Sequence, residues 1–168
     1  VFDPTWFDLD MAGIRDKLVA QNRVKDVWKL DVATRGYVDF IDAGGVLKME
    51  DLTGKLLRRY LKRGTPILTG LSSTWLYRCP REIPDHSCED DDLRGEPTGH
   101  FVVLHGYDRE TREVFVADPH PTNPYSEQRQ YRVGMDHLIA SVLVGVVTFD
   151  CNLLIIEPAT HGRPKEPQ

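Results

Sequence analysis

The sequence is poor in cysteine and has neither a long apolar run nor a recognisable targeting segment. Its three cysteines, Cys79, Cys88 and Cys151, are too few and too scattered for the disulfide framework of a small secreted protein. No apolar run approaches the ~20 residues that a membrane-spanning helix needs. The first residues form neither the basic segment nor the apolar segment of a signal peptide. We therefore expect a cytoplasmic protein with no membrane span.

The sequence also lacks an excess of positive charge. Among its 168 residues, 21 are Lys or Arg and 26 are Asp or Glu, which gives a formal net charge of −5. A nucleic-acid-binding surface needs a basic patch or stripe, so we expect no nucleic-acid partner. The negative charge favours a cationic partner or substrate instead. The length suits a single globular domain with a sizeable core.

The first third of the sequence has the pattern of three helices. Asp10 is placed to cap the first helix, and the pair Gly44 and Gly45 stops the second. The third begins with the acidic residues Glu50 and Asp51, which complement the helix dipole. Its buried side is predicted to consist of Met49, Leu52, Leu56 and Tyr60, and Gly64 ends it.

Most of the remaining sequence has the pattern of strands. A short strand is predicted at 46–48, and the segment 151–157 is apolar enough for a central strand. Helices first and strands later indicate an α+β domain in which N-terminal helices pack on a mostly antiparallel sheet. The predicted single domain has residues 1–157, with a helical part at 1–64, a sheet part at 65–157 and a flexible tail at 158–168.

The stretch "GHFVVLHGYDRETREVFVADPHP", from Gly99 to Pro121, predicts a hairpin of two apolar strands around a charged turn. His100 opens the first strand and Asp118 closes the second, so both fall at the open end of the hairpin. A carboxylate beside an imidazole orients the ring and stabilises its charged form, as a general base requires. We expect the two side chains to lie within hydrogen-bond distance. The alternative is a structural histidine with a solvated aspartate that begins a turn.

This hairpin, together with the upstream segment "DLTGKLLRRYLKRGTPILTGL", resembles the corresponding region of the double-glycine leader peptidases. These are papain-like cysteine peptidases, and the resemblance extends from Asp51 to Pro119. It implies a papain-like fold, with His100 as the catalytic base and Asp118 as the carboxylate that orients it. It also implies a peptide or small amide as substrate, and neither a cofactor nor a metal.

The nucleophile that the resemblance implies is not found in the sequence. In that family a cysteine stands at the start of an early helix, shortly after a glutamine, where the helix terminus lowers its pKa. Here no cysteine precedes Cys79, and Gln21 lies within a helix without a cysteine after it. We expect the thiol to come from a segment upstream of Val1, or from a second chain. The alternatives are an inactive peptidase-like domain that binds a peptide or protein partner, or an unrelated structural or metal-binding domain.

Three further residues are candidates for substrate binding. If the segment "TWLYR" is extended, Trp75 and Tyr77 share one face and form an aromatic wall. Ordinary core packing is the alternative for this pair. Gly99 has no side chain and so permits a close approach of substrate or of the nucleophile helix to His100. We expect a cleft beside His100, between the helical part and the strands.

The acidic segment "DHSCEDDD" at 85–92 lies in a long loop. His86 and Cys88, with the acids at 90–92, are residue types that bind metals, but they have no recognised ligand spacing. The many acids repel one another, so we expect a mobile loop and no metal site. The sequence leaves open whether Cys79 and Cys88 form a disulfide.

Overall fold

A computed structural model describes residues 1–84, 89–145 and 152–158 of the chain. The described part is an α+β protein, as the sequence predicts. Its contacts group into two compact units, Val1–Asp51 and the chain from Leu52 onward. No helix in the described ranges is long and apolar enough to cross a membrane.

The first unit consists of a short 3-10 helix, Pro4–Asp8, and the helices α1 (Met11–Val24) and α2 (Trp28–Asp42). The Asp10 side chain accepts a hydrogen bond from the backbone N–H of Gly13 at 2.8 Å, so the predicted cap of α1 is confirmed. Gly44 has a φ of 90°, which an L side chain rarely adopts, and it stops α2 as predicted.

The strand predicted at 46–48 is wrong, because these residues are irregular. Val46 is exposed, and the segment pairs with no strand among the described residues. A strand needs a neighbouring strand to pair with its backbone N–H and C=O groups. The apolar pattern of three residues does not reveal whether such a neighbour exists.

The second unit contains α3 (Gly54–Leu61), β1 (Ile67–Ser72), α4 (Ser73–Tyr77), β2 (Gly99–Asp108), β3 (Glu113–Ala117), β4 (Gln130–Gly134), α5 (Met135–Val144) and β5 (Leu153–Ile155). The five strands form one sheet in the order β4-β3-β2-β1-β5. All four pairings are antiparallel. The segment 151–157 therefore contributes an edge strand and not a central one, because β5 pairs with β1 alone among the described strands. Cys151 lies outside the described residues.

Helix α3 begins later than its acidic residues suggest. Thr53 is its N-cap, with its hydroxyl accepting from the backbone N–H of Leu56 at 3.2 Å, so Glu50 and Asp51 precede the helix. Leu57 and Leu61 are the buried residues of the helix. Of the predicted buried side, Leu52 and Tyr60 are partly buried against the same core, whereas Met49 is exposed. The predicted stop at Gly64 is confirmed by a φ of 72°.

The core of the second unit lies on one face of the sheet. Val102 and Leu104 of β2 point to this face and are buried, whereas Phe101 on the other face is 54% exposed. Apolar residues occur on both faces of β2, and this pattern predicts a strand that is covered on both sides. The exposure of Phe101 shows that this prediction is wrong. Besides β2, the core contains the following buried residues: Leu57, Leu61, Ile67, Leu71, Leu76, Val114, Val116, Tyr131, Val133, Met135, Leu138 and Val142.

Candidate active site

The sheet brings His100 and Asp118 together at one edge. His100 is the second residue of β2, and Asp118 directly follows the last residue of β3. In an antiparallel pair the start of one strand lies beside the end of the next. Nε2 of His100 lies 2.7 Å from Oδ1 of Asp118. The contact that the hairpin pattern predicts is therefore present, while the catalytic role of the pair stays a prediction.

The carboxylate of Asp118 is buried and surrounded by hydrogen-bond donors. Its Oδ2 accepts from the Tyr77 hydroxyl at 2.6 Å and from the Tyr131 hydroxyl at 2.8 Å. Its Oδ1 accepts from the backbone N–H of His120 at 2.8 Å, in addition to its contact with His100. The Asp118 side chain is fully shielded from solvent, whereas the His100 side chain keeps 21% of its exposure.

These donors decide the ionisation of Asp118. Burial by itself raises the pKa of the carboxyl group, but the hydrogen bonds from Tyr77, His100, the His120 backbone and Tyr131 outweigh it and leave the pKa below its ordinary value. With the carboxylate ionised, the Nε2 atom of His100 has to carry the hydrogen of their contact. Nδ1 of the neutral ring then holds a lone pair. The described residues provide no hydrogen-bond partner for Nδ1, so it is the nitrogen that can exchange a proton.

The extended segment predicted around Trp75 and Tyr77 is wrong, because Ser73–Tyr77 forms the short helix α4. Ser72 caps it by accepting from the backbone N–H of Trp75 at 3.3 Å, and Arg78 ends it in the left-handed region. Trp75 is half exposed, whereas the Tyr77 hydroxyl lies against Asp118. The two rings therefore do not share one face of an extended strand, as an aromatic wall would require. Their role in substrate binding stays a prediction.

The comparisons with known proteins identify the family of the chain. Residues 19–140 match the model of the Peptidase_C39 like family, a match that spans well over half of the chain. The chain belongs to the Peptidase_C39 like family. The α+β architecture is consistent with the papain-like fold expected of this cysteine peptidase-like domain. No curated protein and no solved structure matches the chain.

The C39-like domain has one cysteine in its described part, Cys79. Burial raises the pKa of the Cys79 thiol, which disfavours the reactive thiolate. No hydrogen bond joins Cys79 to His100 within the described residues. Cys88 and Cys151 lie outside the described ranges. The question of a disulfide between Cys79 and Cys88 therefore also falls outside the described residues.

Two site residues of the C39-like domain were not singled out from the sequence. Tyr131 lies on β4, opposite Val116 of β3, and reaches Asp118 across the sheet face. The ring of His120 lies 6.0 Å from that of His100, centroid to centroid. Nδ1 of His120 accepts from the backbone N–H of Thr122 at 3.2 Å. The only sequence signal for these residues is that they follow Asp118 closely, His120 in the next loop and Tyr131 in the next strand.

Gly99 is an exposed residue at the start of β2, opposite Ser72 of β1. Its predicted part in admitting a substrate stays a prediction, as does the cleft expected beside His100. In the long loop before it, Glu82 forms isolated bridges with Asp90 and Glu96. No group of three metal-binding side chains occurs in the ranges that the structure covers, and the predicted mobility of the acidic segment stays a prediction.

Proposed function

We propose that this domain is a cysteine peptidase of the double-glycine leader peptidase type, in which His100 and Asp118 serve a cysteine thiol located upstream of Val1. The observation that carries this proposal is the 2.7 Å contact between His100 and a buried carboxylate, in a chain of the Peptidase_C39 like family. A peptide or small amide is the proposed substrate, and the cytoplasm is the proposed location.

The proposed chemistry is acyl transfer through a thioester. Nδ1 of His100 accepts the thiol proton, and the sulfur forms a bond to the carbonyl carbon of the amide. The C–N bond breaks as His100 passes the proton to the leaving amine nitrogen. His100 then accepts a proton from water as the water oxygen bonds to the thioester carbon. The C–S bond breaks, the proton returns to sulfur, and a carboxylic acid product leaves.

Asp118 has an indirect part in this chemistry. Its carboxylate fixes the orientation of the His100 ring and stabilises the imidazolium that forms when Nδ1 takes a proton. The thiol in the described part, Cys79, is not proposed as the nucleophile. Burial raises its pKa, and it makes no hydrogen bond to His100 in the described part.

The test compares the 168-residue chain with a product extended at its N-terminus to include the upstream cysteine. We expect the extended product to cleave a fluorogenic peptide amide and the 168-residue chain not to. In the extended product, His100→Ala should lower kcat/KM by about 10³-fold or more. His105→Ala is the matched control, because His105 lies on the same strand, is exposed and contacts Phe115 rather than Asp118.

Cleavage by the 168-residue chain that a thiol reagent stops would place the nucleophile within this sequence. Single Ser substitutions of Cys79, Cys88 and Cys151 would then identify it. An extended product that has no additional cysteine would contradict the upstream position of the thiol. Full activity of the His100→Ala variant would contradict the role of the histidine.

The second candidate function is an inactive domain that binds a peptide. An open groove of about 460 Å³ on the exposed sheet face favours it, since apolar residues such as Leu68, Phe101 and Val103 line the groove. Binding of a fluorescent peptide that Phe101→Ser weakens and His100→Ala leaves unchanged, without turnover in the extended product, would support this alternative.

A further inference from the structure

The Asp118 carboxylate is held by side chains from three separate elements. Tyr77 comes from the end of α4, His100 from the start of β2, and Tyr131 from β4. The two oxygen atoms of the carboxylate have different partners. Both tyrosine hydroxyls donate to Oδ2, whereas His100 and the backbone N–H of His120 share Oδ1.

We propose that Tyr77 and Tyr131 are positioning residues that keep the Asp118 carboxylate ionised and in one orientation, so that the neutral His100 ring carries its hydrogen on Nε2. The catalytic use of this arrangement rests on the function proposed above, but the arrangement itself does not. The two hydroxyls act through Asp118, and neither makes a hydrogen bond to His100 within the described residues.

The division of donors between the two oxygen atoms supports this role. If the carboxylate plane turned away from this orientation, the oxygen that accepts from both hydroxyls would lose both bonds, and buried groups would be left unsatisfied. Oδ1 is thereby directed to Nε2 of His100. Hydrogen bonds to an ionised carboxylate favour its ionised form, so the same two hydroxyls keep Asp118 ionised. An ionised carboxylate only accepts hydrogen bonds, and Nε2 of His100 must therefore donate.

Both tyrosines are themselves fixed as donors. Tyr131 is buried and stacks on Tyr125 with 4.7 Å between ring centroids. The Tyr125 hydroxyl has a separate partner, the backbone carbonyl of Leu76 at 2.7 Å, so the stacking contact with Tyr131 comes from the Tyr125 ring. Burial, followed by the hydrogen bond to Asp118, raises the pKa of Tyr131 and of Tyr77 far above the ordinary value. Both phenols therefore stay protonated.

The groups that face His100 come from three directions. Asp118 approaches from the end of β3, the Tyr77 ring from α4 with its centroid 6.4 Å away, and the His120 ring from the loop after β3. Tyr131 on β4 acts through Asp118. His120 is a second imidazole beside His100, so the signals of the two rings have to be assigned separately, with a His120→Gln sample.

The experiment uses the 168-residue chain and needs no enzymatic activity. Imidazole ¹⁵N chemical shifts at pH 8 report which ring nitrogen of His100 carries the hydrogen. Carboxyl ¹³C shifts of Asp118 across pH 2–7 report its titration. In the wild type we expect the Nε2–H tautomer of His100 and an Asp118 pKa below its ordinary value.

The variants are Tyr77→Phe, Tyr131→Phe and the double variant, which remove hydroxyls and keep the rings. We expect each single variant to raise the pKa of Asp118, and the double variant to raise it further and to populate the Nδ1–H tautomer of His100. Tyr125→Phe is the matched control. It removes the hydroxyl of a neighbouring tyrosine that does not contact Asp118, and it should change neither signal.

An unchanged Asp118 titration and an unchanged tautomer in the double variant would overturn the proposal. So would an equal effect of Tyr125→Phe, because it would indicate a general loss of packing. If the buried Tyr131→Phe substitution prevents folding, the half-buried Tyr77→Phe variant alone decides between these outcomes. Failure of the extended product to cleave peptides would contradict the proposed function and leave the tautomer result standing.

Discussion

Asp118 is a buried acid whose charge is stabilised by hydrogen bonds rather than by a nearby Lys or Arg. The net effect of its surroundings is a pKa below the ordinary value, which is about 3.9 for an exposed aspartate. A carboxyl group of lowered pKa stabilises the folded state fully above that ordinary value. This stabilisation is lost as the pH falls from the ordinary value through the folded-state pKa, because in that window the unfolded state binds more protons than the native state.

Asp118→Asn should therefore destabilise the protein in a pH-dependent manner. An amide presents one acceptor oxygen and an NH₂ donor to four donors, so at least one buried donor loses its partner. We expect the free energy of unfolding at pH 7 to fall by about 2–3 kcal/mol. Urea unfolding at a series of pH values would measure it. The difference in the free energy of unfolding between the variant and the wild type should become smaller as the pH falls from about 4 to the lowest pH at which the protein folds.

A difference that stays constant over this range would contradict the lowered pKa of Asp118. Asp136→Asn is a suitable control. Asp136 is largely exposed, with a long contact of 3.4 Å to Arg112, so its substitution should change stability by less than about 0.5 kcal/mol at any pH.

The sequence was sufficient to pair His100 with Asp118, because a hairpin places its two ends together whatever surrounds them. It was not sufficient for Tyr77, whose direction depends on whether the chain after β1 continues as a strand or turns into a helix. The cap formed by Ser72 decides that question, and a serine in an apolar segment is a weak signal. Tyr131 reaches Asp118 from β4, a contact that only the assembled sheet creates.

At the scale of the element, β2 alternates between a buried face and an open face. Val102 is 1% exposed, whereas its neighbour Phe101 is 54% exposed. Phenylalanine has the larger and more apolar side chain, so residue type alone would predict that Phe101 contributes more to stability than Val102. The alternation of the strand reverses that order.

Val102→Ala should consequently destabilise the protein more than Phe101→Ala. We expect about 2 kcal/mol for Val102→Ala, from the lost burial and the cavity that remains. For the half-exposed Phe101 we expect about 1 kcal/mol or less. Urea unfolding of the two variants at pH 7 measures both values. A larger effect for Phe101→Ala would show that the open face is covered in solution.

Helix α3 and strand β5 show where sequence patterns are insufficient at this scale. The acids before α3 fit a helix start, but Thr53 has the extended backbone and the hydroxyl contact of the true cap. Strand β5 is apolar enough for the centre of a sheet, yet its position at the edge follows from the order in which distant strands pair. Caps are local contacts of a single side chain, and strand order is a property of the whole sheet.

At the scale of the molecule, buried apolar residues are distributed unevenly between the two units. In Val1–Asp51, the buried apolar side chains are Ile14 and Leu18, whereas the core cluster around the sheet lies entirely in the second unit. The free energy of folding depends largely on apolar burial. A unit of about fifty residues with so little of it is marginal by itself.

We therefore expect a fragment of residues 52–168 to fold alone and a fragment of residues 1–51 not to. The larger fragment should unfold cooperatively in urea, show dispersed amide NMR signals and keep the Nε2–H tautomer of His100, because Asp118, Tyr77 and Tyr131 all belong to it. The smaller fragment should give a weak helical circular dichroism signal without a cooperative transition. If residues 52–168 instead remain unfolded until residues 1–51 are added, the two units form one folding domain. The single domain predicted from the sequence at 1–157 would then describe the protein better than its division at Asp51.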